Sequence, residues 1–282
     1  MNTNDQNQVS YWKNCHMKTV RKHRPIPASA RHFVVGLATV GLLMSLAFCQ
    51  PLWKSQAADK ENSPLRLLVI TGGHDYETNL FYRMFDEFSG MTYQTAAHPK
   101  AHDWLKSEKA AQYDVIVLYD MWQEITDTAK NDFINRLNQG KGLVVLHHAL
   151  ASYQAWPEYE KIIGGKYNLQ KTVVGGIEKP MSTYLHDVTF KVRVLDKTHP
   201  VTRGVSDFEI HDETYNLFDV SPDVVRLLGT DAPTSGKIIG WAKSYQGAKV
   251  VYLQLGHDHL AWENPAFKKL LSQAIRWTAG RE

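Results

Sequence analysis

Four short apolar runs set the frame for this chain. They are LRLLVIT (Leu65–Thr71), the weaker MTYQTAA (Met91–Ala97), YDVIVLY (Tyr113–Tyr119) and LVVLH (Leu143–His147). The stretches between them carry a helical period instead. Leu80, Phe81, Met84, Phe85 and Phe88 share one helical face after the first run. Phe133, Ile134 and Leu137 share a face after the third, on a helix that Thr126 or Asp127 caps and Gly140 ends. Strands that are apolar throughout, alternating with amphipathic helices, must be covered on both faces. The expected fold is therefore α/β, with a doubly wound, mainly parallel sheet.

After Gly165 the texture changes. YLHDVTFKVRVLD (Tyr184–Asp196) alternates like a half-exposed strand, and short strands follow around 208–211, 224–228, 238–242 and 249–255. A closing helix is capped by Asn264, has Pro265 in its first turn, and buries Phe267, Leu270, Leu271, Ala274 and Ile275. The parallel core is thus expected to carry a β-rich extension within one domain, residues 65–282.

The first 57 residues read differently. Residues 1–32 hold six Lys and Arg against Asp5, and FVVGLATVGLLMSLAFC (Phe33–Cys49) has no charge. A basic region before an apolar core is the pattern of a signal peptide or signal anchor. Ser55–Ala57 offers small residues for cleavage after Ala57, and 58–64 is a polar linker. The apolar run sits at the short edge for a membrane span, and its basic side faces the cytoplasm, so the remainder is expected to be exported. Contact with a membrane is expected only through this segment.

Residues 1–57 carry a net +6, more than the +3 of the whole chain, which leaves 58–282 at −3. That part has no basic stripe, so nucleic acid is not an expected partner. Both cysteines, Cys15 and Cys49, precede the domain. Disulfides, thiolate catalysis and Cys-ligated zinc are therefore excluded from it.

In a doubly wound sheet, ligands bind beyond the carboxyl ends of the strands. Gly72, Gly73, His74 and Asp75 follow the first apolar run; His98 follows the second, and Asp120 and Trp122 the third. His147 and His148 follow the fourth, and Gly256, His257, Asp258 and His259 follow the strand near 250–255. Gly72–Gly73 lacks the spacing of a dinucleotide or phosphate loop, so no nucleotide is expected. No G-x-S-x-G occurs, which speaks against a serine triad. His98, before Pro99, reads as a turn residue. His147 and His148 should point to opposite faces as strand neighbours: His147 towards a ligand, His148 towards the protein. IHDETYN adds Asp212 and Glu213, a carboxylate pair or merely a solvated strand end. Imidazole and carboxylate without thiol suit a divalent metal such as zinc, or metal-free acid–base catalysis.

Four segments together resemble the ThuA-like family of trehalose-utilisation proteins. They are VITGGHDYE, LVVLHHALASYQAWPEYEKIIGGKY, HPVTRGVSDFEIHDETYN and VVYLQLGHDHLAWENPAFKKLLSQAIRWTAG. The resemblance spans roughly Leu65 to Gly280. It implies a class I glutamine amidotransferase-like fold, a flavodoxin-like sheet without the catalytic cysteine, and a role in sugar metabolism linked to 3-keto-glycosides. Residue by residue, it carries over His74, His147, Glu213, Tyr215, His257 and Asp258. The expected metal ligands are His74, His147, Glu213 and His257, and the expected catalytic groups His147, Glu213 and Asp258. Gly73, Trp122, Tyr215 and Trp262 are expected to contact the substrate, a sugar or keto-sugar. One departure stands out: after Gly164–Gly165 the chain continues KYNLQ, where relatives commonly have a Phe and a His–Pro pair. The expected activity is lyase, hydrolase or isomerase chemistry on a glycoside or 3-keto-glycoside. The alternative is a non-catalytic carbohydrate-binding or accessory protein.

Overall fold

The computed structural model describes residues 63–281. The expected signal segment, the expected cleavage after Ala57 and most of the expected linker lie outside these residues. Among the described residues, no helix is long and apolar enough to cross a membrane.

The chain builds β1 (Leu65–Gly72), α1 (Thr78–Asp86), β2 (Met91–Ala97), β3 (Val115–Asp120), α2 (Asp127–Asn138), β4 (Gly142–Leu146) and α3 (Pro157–Ile163). Three short strands follow, β5 (Gly165–Lys166), β6 (Thr172–Val174) and β7 (Ile177–Lys179), then the long β8 (Thr183–Val194) and β9 (Phe208–Asn216). The remainder is β10 (Asp219–Val220), β11 (Val225–Gly229), β12 (Ile238–Tyr245), β13 (Ala248–Leu253), α4 (His259–Trp262) and α5 (Pro265–Thr278). Nine strands form one sheet in the order β2-β1-β3-β4-β13-β12-β11-β8-β9. The first five pair in parallel. That is the flavodoxin-like order 2-1-3-4-5, with β13 as its fifth strand. The last four continue antiparallel, which is the expected β-rich extension.

Alternation along β1 explains the layers. Leu65, Leu67 and Val69 face a core shared with Phe81, Met84 and Phe85 of α1 and Leu270, Leu271 and Ile275 of α5. Leu68 and Ile70 face the opposite core, with Phe133 and Leu137 of α2 and Ile162 and Ile163 of α3. Burying each such side chain stabilises by roughly 1.5–3 kcal/mol. The caps read from the sequence are present. Thr126 accepts from the Ala129 amide, and Asn264 accepts from those of Ala266 and Phe267. This architecture brings the ends of β1, β3, β4 and β13 to one edge of the sheet.

Candidate metal site and adjoining cavity

β4 ends one residue earlier than its apolar run. His147 has φ 51°, in the left-handed region, and opens a tight 3-10 turn that runs to Ala151. Its ring is fully buried. Nδ1–H donates to the Gln254 carbonyl at 2.6 Å, which leaves Nε2 facing the other two groups. Glu213 Oε2 is 2.9 Å from this nitrogen, and His257 Nδ1 is 3.2 Å away. His257 Nδ1 and Glu213 Oε2 lie 3.4 Å apart.

Three ligand-type atoms therefore converge. An imidazole nitrogen 2.9 Å from a carboxylate oxygen requires a proton or a cation between them. The edges of the triangle bracket the roughly 3.3 Å separation that tetrahedral bonds of about 2.0–2.1 Å impose. The carbonyl behind His147 is the outer partner that fixes a ligating imidazole. His147, Glu213 and His257 thus fit a divalent ion.

The electrostatics agree. Burial would raise the Glu213 carboxyl, but hydrogen bonds from His147 and His257 and their charges outweigh it and hold it well below the usual carboxylate range. The Glu213 bond lifts the His257 imidazole above its ordinary value, against burial. Tyr215 Oη lies 2.8 Å from His147 Nε2, and burial keeps the phenol protonated far above its usual value.

Neighbouring residues position the triad. Asp212 is buried, and its carboxylate accepts from the Gly256, His257 and Glu213 amides at 2.8, 2.9 and 2.8 Å. It ties the loop that carries His257 to the strand that carries Glu213. Gly256 sits at φ 113°, and a Cβ there would lie 3.0 Å from the Phe267 ring.

A cavity of about 250 Å³ opens beside the triad. Its walls include His74, His148, Tyr167, Tyr184, His186 and Tyr215. His186 Nδ1 is 3.2 Å from Glu213 Oε1, and its ring centroid lies 4.7 Å from that of His257.

Several expected roles need correction. His148 is not a packing residue pointing away; it lines the cavity with His74. The strand alternation that separated it from His147 ends at Leu146. His74 is not among the three converging ligands. It rides an exposed loop, its Nδ1–H donates to the Asp75 carbonyl, and its ring centroid is 6.1 Å from that of His257. Asp258 caps α4, accepting from the Leu260 and Ala261 amides, so its carboxylate is engaged away from the triad. Trp262 is 1% exposed; it packs against Phe81 and donates to the Gly256 carbonyl, and its indole offers no substrate a face. Trp122 stacks on His98 at 4.9 Å, and Met121 lines the cavity in its place. Gly73 is there for shape: φ is 84°, and a Cβ would fall 2.6 Å from the Met121 carbonyl oxygen.

His98 is more than a turn residue. Its buried Nε2 pairs with Asp120 Oδ2 at 3.0 Å, and Tyr153 Oη donates to the same oxygen at 3.2 Å. Ser152 Oγ donates to the Asp120 carbonyl at 3.0 Å. This network holds the peptide that receives His148.

The residues that sequence reasoning missed are His186, Tyr167, Tyr184 and Met121. Tyr167 lies in the KYNLQ departure, which does shape the cavity wall. His186 and Tyr184 sit on β8 beside a register shift between Leu185 and Val188, with Asp187 at φ 57°. Strand alternation cannot place side chains across such a bulge.

The profile of the ThuA family, described as trehalose utilisation, matches residues 66–278. The chain belongs to the ThuA family. Among solved structures, it is similar to a ThuA-like protein of Parabacteroides merdae, with TM-score 0.64 and 18% identity over 78% of this chain and 91% of that one. A ThuA-like protein of Bacteroides uniformis gives 0.59 and 20%, over 77% and 92%. The cytoplasmic protein STM3548 of Salmonella typhimurium gives 0.51 and 13%, over 76% and 99%. These likenesses establish the fold. No curated protein sequence matches the chain.

Proposed function

We propose that this ThuA-family protein is an exported enzyme that acts on a glycoside or 3-keto-glycoside with the help of a divalent metal. The observation that carries this reading is the convergence of His147, Glu213 and His257, of which Glu213 lines the cavity. The three residues would hold the ion. When bound, it would act as a Lewis acid towards a carbonyl or a water.

The remaining chemistry belongs to the protein. A volume of about 250 Å³ suits a compact ligand such as one sugar ring rather than a polymer. Tyr167 and Tyr184 supply aromatic walls. Tyr215 Oη stands 2.8 Å from His147 Nε2, beside the triad. A ring ketone acidifies the adjacent C–H. His74, lowered from its ordinary value by burial, is a neutral imidazole in reach of the cavity and suits removal of that proton. The released electron pair forms the enolate and then a C=C bond as the anomeric substituent leaves with its bonding electrons. The proton returns to that leaving oxygen.

Turnover of methyl 3-keto-glucoside by metal-free and zinc-loaded protein tests the reading. Zinc-dependent cleavage that His147→Ala abolishes is expected. Equal rates with and without metal would remove the metal from the mechanism. Binding of keto and non-keto glycosides without turnover would favour a carbohydrate-binding protein. Export rests on the basic-then-apolar start of the chain, and N-terminal sequencing of the mature protein is expected to begin at Ala58.

A further inference from the structure

The cavity wall holds a buried acceptor that the triad does not use. His148 is 3% exposed. Its Nδ1–H donates to the Asp120 carbonyl at 3.2 Å, so the lone pair lies on Nε2. That nitrogen is buried without a hydrogen-bond partner among the described residues. The ring is clamped: the Tyr119 ring lies 4.3 Å away by centroid, and the His74 ring 4.5 Å. Its centroid is 5.4 Å from that of His147, a member of the triad.

An unpaired buried acceptor costs stability unless something donates to it. The residue is fixed on the donor side by the Asp120 peptide, which the His98–Asp120–Tyr153 network immobilises. It lines the cavity, so the partner it lacks is one the cavity admits. The geometry points to His148 Nε2 as a specificity-determining acceptor for a ligand hydroxyl next to the oxygen held at the triad. The ligand class is a polyhydroxylated ring with a hydroxyl on the carbon beside its reactive oxygen. A ring lacking that hydroxyl leaves Nε2 unpaired in the complex, and a site built this way discriminates strongly against it.

This inference rests on the glycoside reading above, and the two fail separately. Zinc-loaded protein is titrated calorimetrically with methyl 3-keto-glucoside and with its 2-deoxy and 4-deoxy counterparts, using the natural protein, His148→Phe and His148→Gln. The natural protein is expected to bind one deoxy ligand about tenfold more weakly than the parent sugar. His148→Phe removes that preference, and His148→Gln, whose amide oxygen reaches the place of Nε2, restores it. Zinc affinity stays unchanged in both variants. A preference that survives in His148→Phe overturns the assignment and leaves the glycoside reading standing. If none of the sugars binds the natural protein, the glycoside reading fails. The ¹⁵N spectrum of His148 then decides alone: a bare Nε2 supports the acceptor role, and a protonated Nε2 overturns it.

Discussion

Asp212→Asn is the sharpest perturbation of the candidate site, because it exchanges a single carboxylate oxygen for an NH₂ group and alters no proposed ligand side chain. The carboxylate receives three amides: His257 and Glu213 on Oδ1, Gly256 on Oδ2. An asparagine that keeps its oxygen at the Oδ1 place turns an NH₂ group towards the Gly256 N–H. That donor loses its acceptor, which costs about 1–3 kcal/mol, and the other two bonds lose charge assistance. Against this, burial raises the Asp212 carboxyl, so a neutral amide is cheaper to bury than the carboxylate it replaces. The two effects partly cancel, and a net loss of about 1–2 kcal/mol of folding stability is expected. Zinc affinity should fall further, by roughly 10–100-fold, because the loop that aims His257 at Glu213 is no longer fixed. Urea unfolding of the metal-free protein reads the first quantity, and competition with a chelator reads the second. If zinc affinity stays within about twofold while stability falls, Asp212 supports the fold and not the site, and the positioning argument is wrong.

Gly73→Ala should destabilise by about 1–3 kcal/mol, since φ of 84° and the Met121 carbonyl leave no room for a Cβ; thermal melting checks it. The same variant should lower turnover by displacing His74. Trp262→Phe should cost about 1–3 kcal/mol through lost packing and the lost bond to the Gly256 carbonyl, with sugar affinity unchanged; a weakened sugar complex would return this indole to the substrate site. Burial and the neighbouring His98 lower the His102 imidazole to about 4. Its unfolded value is about 6.5, so between these values the unfolded chain binds more protons than the folded one. Stability should therefore fall as pH drops through this window, and His102→Gln should flatten that fall; urea midpoints at pH 7, 6, 5 and 4 measure it.

How much of this was legible without coordinates follows from the kind of signal. The strands β1, β3 and β4 and the helices α1, α2 and α5 announce themselves through apolar runs, stripes and caps. Those are local signals, and burial on two faces makes them strong. The convergence of His147, Glu213 and His257 was legible only as strand-end chemistry plus family resemblance. No local rule says that β9, four strands beyond β13 in the sheet order, returns Glu213 to His147. The tryptophans misled for a related reason. Trp122 and Trp262 stand next to the right loops in sequence, but an indole follows apolar volume, and Trp262 found it between Phe81 and Tyr119. Asp258 misled because a carboxylate two residues before free amides is a cap whatever else it resembles.

The adjacent histidines failed a rule that was applied correctly. In a strand, neighbours face opposite sides, so one of the pair had to point away. His147 leaves the strand instead, at φ 51°. A non-glycine residue there costs about 1–3 kcal/mol unless its surroundings determine it. They do: Gln254 holds the ring, Tyr252 Oη donates to the His147 carbonyl at 3.2 Å, and Tyr215 closes over Nε2. Glycine would relieve the strain and lose the ligand atom. The strain therefore has a use, because it lets two consecutive side chains serve one rim. His147 faces the triad and His148 faces the cavity. One turn thus delivers two consecutive imidazoles to different places, His147 to the converging triad and His148 to the cavity wall.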